Sequence, residues 1–283
     1  MSVHQFTPGP SVSRTVRTLA VLGDSIGVGV GDPRIGGGWR GFAPLLAAAL
    51  GATDLINVAR NGARVGCLRA DQLPVVMPTR PDAAIVLGGM NDTLRSDFDP
   101  GRIRADLGTV VGTLTGMGTV VVMVRYHDHG QVFRLPGPLR RALARRIGDL
   151  NAAVDEVALR YGAGVVDLGA LPGTYQAGTW SVDRLHPSEW GHRMLARALA
   201  DCLATAGVAV PCEVSQHCGG SATTSRFAHV AWLVVKGVPW LLRRGTDLLP
   251  YALQALGEAG RPTTQVERAA SRFSRRGVGH RTS

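Results

Sequence analysis

Between about residues 18 and 210, short runs of aliphatic and β-branched residues alternate with longer stretches whose apolar positions recur every three or four residues. A strand buried on both faces reads as one continuous apolar run, and a helix lying on it reads as a 3.6-residue period. The alternation therefore restricts the chain to an α/β fold with a parallel sheet between helical layers. The strand runs are Thr18–Gly23, Asp54–Val58, Ala83–Gly88, Thr119–Val124 and Gly164–Leu168. The helical runs are Trp39–Leu50, Val65–Met77, Gly101–Met117, Leu139–Tyr161 and Ser188–Ala206. Their order, βαβαβαβαβα, predicts a five-stranded parallel sheet. Pro100 after Asp99, and Ser188 three residues before Gly191, suit the first turns of the third and fifth helical runs.

With 283 residues and 45% hydrophobic content, the chain has ample material for one large core. Residues 1–17 read as a flexible start, 18–210 as the main domain, 211–260 as an apolar and basic extension, and 261–283 as a disordered tail. Within the extension, residues 228–256 carry Trp232, Leu233, Val234, Val235, Trp240, Leu241 and Leu242, punctuated by Lys236, Arg243, Arg244 and Asp247. Those charges argue against a membrane span. The segment is expected to pack on the main domain or on a second subunit as a homodimer contact, with peripheral binding to a membrane surface as the alternative. The first apolar run, Leu19 to Leu22, is only strand-sized. With no signal peptide recognisable before it, the expected location is cytoplasmic.

The net charge of +10 comes from basic residues that are scattered before position 210 and form no nucleic-acid-binding motif, so nucleic acid is not an expected partner. Cys67, Cys202, Cys212 and Cys218 form no CxxC pair and no metal-ligand spacing. They read as free thiols, with a Cys212 to Cys218 bridge left open.

In an open parallel sheet, ligands bind beyond the carboxyl ends of the strands. Each strand run here ends in a polar cluster at that edge: Gly23-Asp24-Ser25, Asn57 to Gly62, Gly89-Met90-Asn91-Asp92, Arg125 to His129 and, beyond the fifth, Asp183 to His186. A serine hydroxyl needs an imidazole to take its proton, and the imidazole needs a partner that fixes its tautomer. Ser25, His186 and Asp183 fit those roles. Backbone N–H groups of Ser25 and Gly62 and the side-chain amide of Asn91 are candidate donors to a developing oxyanion. Each residue also has a plainer reading: Ser25 as a helix N-cap, His186 as a solvent-facing histidine, Asp183 as a loop acid, and Gly62 as a residue chosen for positive φ. Asp24 and Asp92 read as structural braces.

These blocks resemble those of the SGNH/GDSL hydrolases, which carry Gly-Asp-Ser near the N-terminus, a glycine in a second block, Gly-x-Asn-Asp in a third and Asp-x-x-His near the end of the domain. The chain has Gly23-Asp24-Ser25, Gly62, Gly89-Met90-Asn91-Asp92 and Asp183-Arg184-Leu185-His186 in that order. Ile26 stands where leucine is frequent. The resemblance spans residues 18 to 205. It implies a three-layer α/β/α flavodoxin-like fold, a catalytic domain at 18–210, no cofactor, and hydrolysis of a small or medium acyl ester through an acylated Ser25. Acyl transfer to an alcohol would use the same residues. A membrane-associated lipase and a non-catalytic binding module are the other readings. Arg125, Tyr126 and His127, at the same sheet edge, are assigned to substrate selection. The His127-Asp128-His129 run is not assigned to a metal, because no carboxylate ligands accompany it at a telling spacing.

Overall fold

A computed structural model describes residues 13–219, apart from Arg134 and Pro136. The segment 228–256, the tail 261–283 and the first 12 residues lie outside the described residues, and so do the partner readings attached to them.

Five parallel strands form one sheet: β1 (Thr18–Gly23), β2 (Asp54–Asn57), β3 (Ala83–Leu87), β4 (Val120–Arg125) and β5 (Gly164–Asp167), in the order β2-β1-β3-β4-β5. The chain winds outward from β1 to β2, then crosses back to β3 and continues the other way. The gap between β1 and β3 is therefore the topological switch point, where loops leave in opposite directions and a crevice opens.

Alternation along the central strands sends Ala20, Leu22, Ala84, Val86, Val121 and Met123 to one face. Leu19, Val21, Ala83, Ile85, Val122 and Val124 go to the other. The first face is covered by α6 (Pro100–Gly116) and α8 (Gly137–Tyr161), through Ile103, Leu107, Val110, Ile147, Leu150 and Val154. The second is covered by α2 (Phe42–Leu50) and α9 (Glu189–Thr205), through Phe42, Leu46, Leu195 and Leu199. This is the expected three-layer α/β/α arrangement. Among the described residues, no helix is long and apolar enough to cross a membrane.

Helix boundaries follow local chemistry. Asp99 caps α6 by accepting from the N–H groups of Gly101 and Arg102, and Pro100 takes the first helical position, where no N–H is needed. Ser188 caps α9 by accepting from the Gly191 N–H. The helix expected over Trp39–Leu50 starts only at Phe42. The run expected over Val65–Met77 is broken into α3 (Val65–Cys67), a π-helical turn (Leu68–Gln72), α4 (Leu73–Val76) and a 3-10 turn (Met77–Thr79). Pro74 and Pro78 have no N–H to donate, and their rings crowd the preceding turn, so a regular helix cannot run through them. Three further helices of five residues or fewer, α1 (Ser25–Val28), α5 (Met90–Thr93) and α7 (His129–Phe133), are too short to leave a periodic signal.

The ordered chain extends beyond the expected 18–210. The Arg14 N–H donates to the Gly207 carbonyl, and Val16 is buried in the second core. Val16, within the residues read from the sequence as a flexible start, has apolar cover there. At the other end, the Cys212 N–H donates to the Ala49 carbonyl, Val214 is buried, and Arg193 donates to the Ser215 carbonyl. All four cysteines are free.

The π-helical turn has a structural use. It aims the buried side chain of Gln72 at the end of β1, where its Oε1 accepts from the Gly23 N–H at 2.7 Å and its Nε2 donates to the Gly23 carbonyl at 2.9 Å. Gly23 itself admits no side chain, since a Cβ there would lie 2.5 Å from the Leu87 carbonyl oxygen of β3. Replacing Gln72 by Ala strands the buried Gly23 N–H and leaves the Gly23 carbonyl with the Arg60 N–H, and should lower the unfolding free energy by about 1–3 kcal/mol. A urea titration monitored by circular dichroism measures this; a change below about 0.5 kcal/mol would mean that the amide is dispensable.

Candidate active site

β1 ends at Gly23, and the chain turns at once into α1. Asp24 is the residue that caps this helix, its Oδ1 accepting from the Ile26 N–H at 3.0 Å. Ser25 is thereby left at the first helical position with its hydroxyl uncommitted to the backbone, so the N-cap reading of Ser25 does not hold. Its N–H, in the first turn, has no acceptor inside the helix. Asp24 is 2% exposed, and burial pushes its carboxyl up to about 6, against the lowering effect of the Ile26 N–H.

Ser25 Oγ lies 2.8 Å from His186 Nε2, and His186 Nδ1 lies 2.7 Å from Asp183 Oδ2. Ser25 and His186 are 161 positions apart in the chain, and the loop between β5 and α9 brings His186 and Asp183 across. That loop is a tight one. The Ser181 N–H donates to the His186 carbonyl, Trp180 bridges to Pro187, and Arg184 at its tip has φ of 58°, a left-handed conformation uncommon for a residue with a side chain. Asp183 holds the turn from inside: its Oδ1 accepts from the N–H groups of Leu185 (2.8 Å) and His186 (3.0 Å) and from the Ser181 hydroxyl (2.6 Å). Burial raises the Asp183 carboxyl, but the hydrogen bonds from His186 and Ser181 outweigh it and hold it down to about 2. The carboxylate is thus ionised at any pH where the protein would work. It can orient the imidazole and stabilise its protonated form.

The other two blocks are tied to each other. Gly62 has φ of 75°, and nothing occupies the space a side chain would take. Asn91 sits in α5, directly after β3, and donates through Nδ2 to the Ala63 carbonyl at 3.0 Å. Asp92 ties these blocks together. Its carboxylate accepts from Arg64 Nε at 3.0 Å and from the Val65 N–H at 3.1 Å, while Arg64 also donates to Asp97. Asn57 adds a further tie, donating to the Gly27 carbonyl and accepting from the Ala59 N–H. Asp24 and Asp92 are therefore braces, as expected.

The expectation for Arg125, Tyr126 and His127 is corrected. The Arg125 guanidinium turns to Asp155 of α8 and Asp167 of β5. Tyr126 and His127 are each 3% exposed. Asn151 clamps the Tyr126 backbone, accepting from its N–H and donating to its carbonyl, and so pulls the side chain into the core between sheet and α8. His127 packs against Trp180 and bonds to His129. Neither Tyr126 nor His127 presents its side chain as an open substrate contact. The sequence reading also passed over Gln72, Asn151 and Trp180. Gln72 and Asn151 are polar residues inside helical runs, and a polar residue on an otherwise apolar helical face was the available signal for both.

Three buried histidines bear on stability. Burial lowers His127 and His192 to about 4 and His129 to about 3. His192 is fully buried, accepts no solvent, and bonds through Nε2 to the Val30 carbonyl. A depressed imidazole contributes stability that is present above its unfolded value of about 6.5 and lost as pH falls toward its folded value, up to about 3 kcal/mol for His192. Asp24 acts in the opposite sense, its contribution declining as pH rises from about 4 to 6. The histidines should dominate, so urea midpoints should fall between pH 7 and pH 4.5. The fall should be smaller in His192→Gln, and an equal fall in that variant would remove His192 from the account.

Comparison with known proteins agrees with this arrangement. The family model described as GDSL-like Lipase/Acylhydrolase family matches residues 21–194. Among solved structures, LAE5, an alpha/beta hydrolase enzyme from the metagenome of Lake Arreo, Spain, is 22% identical, with 70% of this chain and 98% of that one covered and a TM-score of 0.53. Axe2, an acetylxylan esterase from Geobacillus stearothermophilus, is 22% identical, covering 70% of this chain and 98% of that one at a TM-score of 0.52. The psychrotrophic esterase EstA from Pseudoalteromonas sp. is 16% identical over 66% of this chain and 97% of that one, with a TM-score of 0.51. At these identities the three structures bear on the fold. Among curated proteins, no sequence matches this chain.

Proposed function

The chain belongs to the GDSL-like lipase/acylhydrolase family, a family of serine ester hydrolases, and from that premise we propose that it cleaves carboxylic esters through an acyl group carried on Ser25. The observation that supports this most directly is the unbroken hydrogen-bonded chain Ser25 Oγ, His186 Nε2, His186 Nδ1, Asp183 Oδ2, with links of 2.8 and 2.7 Å.

In this reading, His186 Nε2 takes the hydroxyl proton as Ser25 Oγ attacks the ester carbonyl, and the new C–O bond turns the carbonyl oxygen into an oxyanion. Asp183 stabilises the imidazolium without itself being protonated. The N–H groups of Ser25 and Gly62 and the Asn91 amide receive the oxyanion, each donor being worth about 3 kcal/mol in a water-excluded site. The imidazolium then gives its proton to the departing alkoxide, which leaves as an alcohol. Water repeats the sequence on the acyl-serine: it loses a proton to His186, attacks the carbonyl and releases the carboxylic acid, returning the proton to Ser25. An alcohol in place of that water would give acyl transfer.

The test is hydrolysis of p-nitrophenyl esters of increasing acyl length by wild type, Ser25→Ala and His186→Ala, with folding checked by circular dichroism. Both variants should fold and lose about 10³-fold or more in kcat. Undiminished activity in Ser25→Ala would overturn the nucleophile. Asp183 stays ionised well below the assay range, so it should add no limb of its own to the kcat/KM profile. Asp183→Asn should lower kcat roughly 10²-fold or more, because the wrong tautomer is then favoured. A variant retaining more than half the activity would show that the imidazole needs no such partner.

A further inference from the structure

Ser25 and His186 meet through their side chains, but a second connection joins their backbones, and it ends on a histidine that the proposed reaction does not use. α1 is only four residues long, and the two residues that follow it close its last turn. Gly29, left-handed at φ of 91°, donates its N–H to the Ile26 carbonyl at 3.0 Å, and the Val30 N–H donates to the Ser25 carbonyl at 3.0 Å. A helix that ends in glycine satisfies its free carbonyls in this way. The carbonyl of Val30 is taken in turn by His192, whose Nε2 lies 3.0 Å from it.

His192 stands in α9, whose first turn follows directly from His186 and Pro187. Ser188 caps that turn, and the His192 N–H donates to the Ser188 carbonyl at 2.9 Å. The ring is fully buried and stacks on Phe42 of α2, with centroids 6.4 Å apart and planes inclined by 20°. Beside Val30, the chain at Gly31 lies directly on the loop of His186: a Cβ there would collide with the Pro187 carbonyl oxygen and lie 3.1 Å from His186 Cβ. On the other flank, a Cβ on Gly29 would lie 2.8 Å from the Gly41 Cα. Residues 29–31 are thus held between the start of α2 and the loop that carries His186.

The tautomer of His192 follows from this geometry. A backbone carbonyl can only accept, so Nε2 carries the proton in the bond to Val30. Burial holds the imidazole down to about 4, which leaves a neutral ring with a single N–H near pH 7. Nδ1 is then a buried lone pair, and it has no hydrogen-bond partner among the described residues. The opposite tautomer would bury an N–H without an acceptor and set two lone pairs against each other across 3.0 Å, which is costlier. An apolar ring stacked on Phe42 would strand no nitrogen at all. The bond to Val30 is what a histidine supplies at this position.

We infer that His192 is a positioning residue for the ester-cleaving site: its Nε2–H holds the Val30 carbonyl, Val30 holds the Ser25 carbonyl, and the Ser25 hydroxyl is thereby kept where His186 Nε2 meets it. The inference rests on the reading of Ser25, His186 and Asp183 given above. A single helical turn has little stability of its own, so the contacts at its two ends set its orientation. Asp24 fixes the start of α1, and the bridge through Val30 fixes its end. Because that bridge leads to the helix that continues from His186, both partners in the proton transfer are referred to one rigid element. A displacement of about 1 Å between reacting groups can cost on the order of 10²-fold in rate.

Two measurements on the full chain test it. Long-range proton–nitrogen spectra should show His192 as the Nε2–H form; an Nδ1–H signature would overturn the inference without touching Ser25 and His186. Kinetics on p-nitrophenyl acetate should compare wild type, Ser25→Ala, His192→Phe and His192→Gln. Beside them goes the rate at which a p-nitrophenyl alkylphosphonate labels Ser25, p-nitrophenolate leaving as the Oγ–P bond forms. Phe keeps the stack on Phe42 but cannot donate, so kcat and the labelling rate should each fall on the order of tenfold, with KM changed less than about threefold. Gln places an amide N–H near the position of Nε2 and should recover most of both losses. A side chain that served stability alone would move the urea midpoint and leave both rates of the folded protein unchanged. Wild-type rates in folded His192→Phe, or equal losses in Phe and Gln, would therefore overturn the inference. Should the Phe variant not fold, His192→Asn, whose amide is too short to reach Val30, takes its place with the same expected losses. A Ser25→Ala that still turns over ester or takes label, or a wild type inert toward both reagents, would instead bring down the reaction scheme, so the two failures are distinguishable.

Discussion

The site depends on how closely β1 and β3 approach at their carboxyl ends. Gly23 and Leu87 are opposed in register, and a single added carbon at Gly23 would press on the Leu87 carbonyl. Because the two strands come together there, the loops that follow them, Asp24-Ser25 and Gly89 to Asn91, start side by side at the switch point of the sheet. The buried Gln72 amide satisfies both backbone groups of Gly23, so the last residue of β1 is held although side-chain packing is impossible there. Ser25 begins only two residues later. Little slack separates the hydroxyl from the rigid centre of the sheet, which is what preorganised chemistry requires.

Around that fixed point, buried charges act as ties between loops. Asp92 binds the chain after β3 to the chain after β2 through Arg64 and Val65. Asp183 gathers three donors from its own turn with one oxygen and holds His186 with the other. Asp32, fully buried, pairs with Arg40, and Arg40 reaches on to Glu189 at the start of α9. Each carboxylate is buried but supplied with donors, so its desolvation is offset. Removing one partner would leave a charge without compensation, which is more damaging than never having had the pair. The architecture thus converts the hazard of buried charge into fixed loop geometry.

Much of this was legible in the sequence, and the exceptions have physical reasons. Strand runs such as Ala83–Gly88 are unambiguous because a strand covered on both faces must be apolar throughout, and their ends shift by a residue at most from the observed β3. The Ser25, His186 and Asp183 blocks were legible because a serine hydroxyl calls for an imidazole and an imidazole for an acid, and the structure joins the three in one hydrogen-bonded chain. The break inside Val65–Met77 was less visible, since its apolar period continues through Pro74 while the hydrogen bonding does not. Tyr126 and His127 were read toward the substrate because they follow a strand at the active edge. Position after a strand fixes where a backbone emerges and leaves side-chain direction to tertiary contacts, here Asn151 and Trp180. The N-cap also moved by one residue. Asp24 and Ser25 are both good caps, and only the backbone torsions decide that Asp24 takes the role.

Asn91 shows how the ties and the chemistry meet in one side chain. Its amide has two N–H groups and one acceptor oxygen. One N–H is committed to the Ala63 carbonyl, beside Gly62. That bond fixes the plane of the amide, and a fixed plane fixes the direction of the second N–H as well. The same bond draws the chain at Ala63 toward α5, so the Gly62 peptide, in its left-handed conformation, is held at a set distance from the amide. In the proposed reaction, two donors from different loops are thereby made to move together. A hole assembled from independently mobile loops would have to order each donor as charge develops on the oxygen. One assembled from mutually bonded loops has met that ordering cost on folding, where the whole sheet edge contributes to it.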